Sequence, residues 1–115
     1  MVKVYRVEHK DTKIGPWATL DCPMPGGGFF DCSVRPLPER DGLTHRKGWE
    51  SGVSSKRMVR HWFPKVVRDV WGKSYGMVLV EFEVPRDAVE RGQYQVQFDR
   101  QRATVVATRD LAEWK

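Results

Sequence analysis

The segment Ser54–Lys73, SSKRMVRHWFPKVVRDVWGK, constrains this chain more than any other. Its apolar residues fall in two rows with four-residue steps, Met58, Trp62, Val66 and Val70 beside Val59, Phe63, Val67 and Trp71. Residues four apart stack on one helical face, so the two rows make a single apolar stripe that must lie against another layer. Ser54 or Ser55 can cap the start by accepting a hydrogen bond from a first-turn amide. Pro64 interrupts the rows, because its nitrogen carries no hydrogen and its ring crowds the preceding turn. The spacing therefore predicts two short helices, about 55–63 and 64–72, with Pro64 in the first turn of the second. Trp62 and Trp71 are assigned to the core.

Strands flank this helical pair. VKVYRVE, residues 2–8, alternates and is rich in Val and Tyr, as a half-buried strand does. GMVLVEFEV, 76–84, begins as a nearly continuous apolar run, the pattern of a central strand covered on both faces. PRDAVERG after it reads as a helical turn or loop. QYQVQFD, 93–99, places Tyr94, Val96 and Phe98 on one face and Gln93, Gln95 and Gln97 on the other; RATVVAT, 102–108, alternates more weakly. DRQR, 99–102, is expected to be a hairpin turn between these two. Leu111 and Trp114 are expected to fix the tail to the body. Residues 21–48 form a long Gly- and Pro-rich loop in which GGGFFDCSV could add a short strand, bringing Phe29, Phe30 and Val34 to the core. The glycines are not followed by G-K-[ST], so no phosphate loop is present. The expected fold is a single α+β domain, residues 1–115, with one mainly antiparallel sheet, a helical insert broken at Pro64 and the long Gly/Pro-rich loop.

At 115 residues with 40% hydrophobic content the chain suits one packed domain, and no apolar run approaches the roughly 18 residues of a membrane span. The start, MVKVYRVEHK, has no apolar signal core, so a soluble cytoplasmic protein without membrane contact is expected. Cys22 and Cys32 then read as free thiols, since cytosolic cysteines stay reduced and their spacing is not that of a zinc site. His9, His45 and His61 are scattered, and no metal motif or catalytic triad stands out.

Charge is less evenly spread. The chain carries +5, yet between Arg46 and Lys73 eight basic residues face only Glu50 and Asp69, a local net of +6. Lys56, Arg57, Arg60, His61 and Arg68 are the candidate partner-binding residues, placed on the outer helical face. An acidic protein surface is the favoured partner, and nucleic acid, held through phosphate contacts, is the other. Arg6 interrupts the apolar face of the first strand. It either sits on an edge strand or pairs with a carboxylate such as Glu81 or Glu83 across the sheet, the favoured reading, or lines a ligand cleft with Gln93 and Gln95.

The start VYRVEH, the middle SGVSSKRMVRHWF and the end GQYQVQFDRQRATVV resemble a group of small uncharacterised proteins common in bacteriophage genomes. That resemblance implies a phage or prophage accessory protein that acts without catalysis by binding a host protein, a defence component for example, and inhibiting it. A second resemblance is to the arginine-specific ADP-ribosyltransferases. YRV is similar to their first strand, with Arg6 at the NAD-binding position. GQYQVQF is similar to their late [QE]-x-E element, with Gln93 and Gln95 at the motif positions and Ser33 or Ser54 as the middle element. It implies NAD as ligand only under that alternative, and otherwise no cofactor is expected. Gln95 departs from the pattern, because a neutral amide cannot stabilise the positive charge that develops on ribose as nicotinamide leaves. This reading implies an enzyme relic.

Overall fold

The computed structural model describes residues 1–13, 43, 46–92 and 95–114. Cys22, Cys32, Trp17, Phe29, Phe30, Val34, Ser33, His45, Gln93 and nearly all of the 21–48 loop lie outside the described residues. Six strands and two helices are described: β1 Val2–His9, β2 Trp49–Gly52, α1 Lys56–Trp62, α2 Lys65–Tyr75, β3 Met77–Val84, β4 Val89–Arg91, β5 Val96–Asp99 and β6 Thr104–Asp110. The fold is α+β, and its strands divide into two antiparallel three-stranded sheets, ordered β1-β3-β6 and β2-β5-β4. A bridge joins them: the amides of Tyr5 and Val53 each donate to the other residue's carbonyl at 2.8 Å.

The helical pair forms where the spacing predicts. Ser55 caps α1, its hydroxyl accepting from the Met58 amide at 3.2 Å. Pro64 stands at the N-cap of α2, and its carbonyl accepts the Arg68 amide at 3.0 Å. A missing N–H costs nothing there, since the first amides of a helix have no intrahelical acceptor. Gly76 ends α2 in the left-handed conformation, φ +65°, which glycine adopts without a Cβ clash. Of the two apolar rows, Val59, Phe63, Val67 and Trp71 are all buried, whereas in the other row Trp62 is buried but Val66 faces solvent. The buried stripe is therefore narrower than its spacing suggests.

Two cores lie on opposite faces of the β1-β3-β6 sheet. Pleating sends Tyr5, Val7, Met77 and Leu79 toward the helices, where they meet Val59, Trp62, Phe63, Trp71, Leu111 and Trp114. It sends Val4, Val80, Phe82 and Val84 the other way, onto Ala88, Val96 and Phe98 at the second sheet. β3 is thus covered on both sides, which explains its apolar run. The Phe82 and Phe98 rings meet at 5.0 Å between centroids. Leu111 and Trp114 do anchor the tail.

One connection corrects the sequence reading. Residues 99–102 do not turn a hairpin. β5 already pairs with β2 on one edge and β4 on the other, so β6 cannot join it. Instead a 3-10 turn, Arg100–Arg102, carries the chain across to β3 of the other sheet, with Asp99 accepting the Gln101 amide at 3.1 Å. β2 and β4, four and three residues long, carry too little alternation to be seen in sequence.

Candidate functional site

Arg6 lies on the β1 face that looks toward the second sheet and is 6% exposed. A buried guanidinium is costly unless paired and hydrogen-bonded. Its Nε lies 3.0 Å from Glu8 Oε1 and 3.1 Å from Glu50 Oε2, its Nη1 donates to the Ser51 carbonyl at 2.7 Å, and its Nη2 to the Lys13 carbonyl at 3.3 Å. Glu8 is fully buried and is shared: Arg100 Nη1 donates to its Oε1 at 2.6 Å and Arg100 Nη2 to its Oε2 at 2.9 Å. Arg100 Nη1 also reaches Glu50 Oε2 at 2.7 Å, and the guanidinium lies 5.2 Å from the Phe82 ring centroid. Two arginines and two glutamates thus form a neutral cluster that ties β1 of one sheet to β2 and the β5–β6 turn of the other.

Burial lowers the Arg6 pKa, opposed by the attraction of Glu50 and Glu8. The Arg100 pKa is raised, first by its hydrogen bond to Glu8. The favoured reading of Arg6 as paired with a carboxylate describes it, but the partners differ from those expected. Glu81 and Glu83 stand opposite Tyr5 and Lys3 in the ladder, hence on the other face of the sheet, where both bind Lys3. Glu8 could have been found in the sequence, because residues two apart in a strand share a face. Glu50 and Arg100 could not, since only the docking of the sheets brings them in.

Gln95 and Gln97 stand elsewhere. Gln97 pairs with Ser51 and Glu90 in the ladders, on the face of its sheet opposite Val96 and Phe98, and its Nε2 donates to Glu90 Oε1 at 3.2 Å. Gln95 is buried just before β5 and shares that parity, which sets Gln95 and Gln97 on the face of the second sheet away from Val96 and Phe98; Gln93 lies outside the described residues.

The basic helical surface is the other candidate. Lys56, Arg57, Arg60 and His61 are all exposed on α1, and α1 contains no acidic residue. Arg60 lies over the Trp114 ring at 4.8 Å. Arg68, expected on the same face, is turned inward: it is 9% exposed, donates from Nη1 to the Phe63 carbonyl at 2.7 Å, and stands 5.4 Å from the Trp114 ring. Burial and the neighbouring Arg60 lower its pKa. Phe63 is the C-cap of α1, and the arginine donates to its carbonyl where the helix ends.

Among the described residues no group of three His, Cys, Asp or Glu side chains is placed to hold a metal ion, and no helix is long and apolar enough to cross a membrane. No curated protein and no solved structure matches the chain. A family model described as bacteriophage T4 Y00F protein does match, over residues 1–112, and the chain belongs to that phage protein family.

Proposed function

We propose that this phage protein binds a host protein with an acidic surface through the exposed side chains of α1, acts in the cytoplasm of the infected bacterium, and inhibits the protein it binds, a defence component being the kind of target its membership of a phage protein family suggests. The observation that carries this is the placement of Lys56 and Arg57. They occupy the first turn of α1, with no acidic residue in that turn. Cations at a helix N-terminus oppose the peptide dipoles and gain the helix nothing. Charges that do not serve the fold, concentrated on one exposed surface, serve a contact. Arg60 and His61 extend the patch by one turn, and the Arg60–Trp114 stack holds one of its cations in a fixed place.

The test uses host lysate and two baits, the wild-type protein and Lys56→Glu/Arg57→Glu. Because acidic residues are favoured in a first helical turn, the double variant keeps its fold, which circular dichroism checks. A host protein with an acidic surface retained by wild type and lost by the variant supports the reading. Identical sets of retained proteins on both baits would refute it. A nucleic acid retained instead, with affinity falling steeply with salt, would replace it with the nucleic-acid reading.

A further inference from the structure

The two ends of the inter-sheet core are built differently. One end is closed by the Arg6–Glu8–Glu50–Arg100 cluster. The other opens as a cavity of about 560 Å³ lined by Val2, Arg86, Val89, Glu90 and Arg91. The ladders place these groups. Val2 shares the inward face of β1 with Val4, and Val89 and Arg91 stand opposite Phe98 and Val96, so all three look into the mouth between the sheets. Glu90 stands opposite Gln97 on the other face of β4, and its carboxylate is engaged: Arg46 donates to Oε2 at 2.6 Å and Gln97 to Oε1 at 3.2 Å. The lining carboxylate is therefore neutralised by Arg46. Arg86 and Arg91 are exposed, and among the described residues neither has a carboxylate within ion-pair distance.

We propose that this mouth binds the C-terminal end of a partner polypeptide, its carboxylate between Arg86 and Arg91 and its last apolar side chain on Val2 and Val89. Three features select that ligand. Two arginines with no ion-pair partner among the described residues match a carboxylate, which guanidinium groups hold through paired hydrogen bonds. The valines beside them suit an apolar group next to the charge, where a free inorganic anion would leave them uncovered. And β4 is the edge strand among the described strands of its sheet, where an extended chain can lie along it and exchange main-chain hydrogen bonds. The volume falls within the usual range for small-ligand sites, roughly 300–1,000 Å³, enough for the last few residues of a chain. The site is on a different element from the α1 surface and does not depend on it.

The probe is a fluorescein-labelled octapeptide ending in valine with a free carboxylate, followed by fluorescence anisotropy. The expected result is saturable binding. It weakens by about tenfold or more when the terminus is amidated, and by a similar factor in Arg86→Ala/Arg91→Ala, as loss of a charge-assisted contact implies. Lys56→Glu/Arg57→Glu should bind the peptide as wild type does. No binding, equal binding of acid and amide, or binding unchanged by the arginine substitutions would each overturn the proposal. So would complete competition by millimolar inorganic phosphate, which would make this a site for small anions. Both arginines are exposed, so their replacement leaves the fold intact; a urea midpoint equal to wild type verifies this.

Discussion

Arg6→Met removes the guanidinium from the buried cluster and keeps an unbranched stem of similar reach. The structure sets the size of the effect. Its contacts to Glu8, Glu50, the Ser51 carbonyl and the Lys13 carbonyl disappear. Glu8 keeps both bonds to Arg100, but Arg100 alone must then balance two carboxylates. Breaking a buried pair from one side costs about 3–5 kcal/mol, of which a carbonyl left without its donor accounts for roughly 1–3. In urea, with a slope of about 1.5 kcal/mol per molar, the midpoint should fall by about 2–3 M, read from tryptophan fluorescence. The slope itself should not change. Adding Glu8→Leu restores charge balance, with Arg100 facing Glu50 alone. The double variant should therefore lose less than the sum of the two single variants, by about 0.5–3 kcal/mol. An Arg6→Met midpoint within about 0.5 kcal/mol of wild type, or strictly additive single effects, would refute the picture of a coupled cluster around a buried Arg6 and make Arg6 a solvated strand charge.

Two other substitutions probe different parts of the fold. Gly72 lies inside α2, where alanine normally stabilises a helix by about 1 kcal/mol; here its Cβ would run into the Ala112 backbone and side chain. Gly72→Ala should therefore destabilise by roughly 1–3 kcal/mol as the tail is pushed away, and a stabilised variant in thermal unfolding would contradict the packing. Burial raises the Tyr5 pKa above its ordinary value of 10.0, so its contribution is fully present below that pH and is lost as pH rises through the higher folded value. Unfolding free energy measured from pH 9 upward should fall, and Tyr5→Phe should remove that part of the decline; an identical slope in the variant would show that the hydroxyl is already solvated.

Local patterns specified what local physics decides. The two rows around Pro64, the alternation of β1 and the apolar run of β3 each report one element's own face, and each element formed where its pattern lies. What failed was adjacency. β5 and β6 follow each other with turn chemistry between them, yet both edges of β5 are occupied, and no residue in 99–102 records that. The same divide runs through the site. Arg6 stood out as a charge on an apolar face, and its partner Glu8 lies two residues on, but Glu50 and Arg100 arrive from 44 and 94 positions away in the chain. Arg68 misled because helical spacing gives direction and not depth: its guanidinium turns inward onto the Phe63 carbonyl at the end of α1.

The central claim is that exposed cations of α1 form the contact with a host protein. Its most direct test is a calorimetric titration of the purified host protein into the wild-type chain and into Lys56→Glu/Arg57→Glu at matched ionic strength. Each reversed charge at a complementary interface opposes the acidic partner. The expected outcome is at least a roughly tenfold weaker Kd for the double variant, an affinity for wild type that declines as salt rises, and unfolding midpoints that agree. Equal Kd values for the two proteins would place the contact elsewhere and contradict the account.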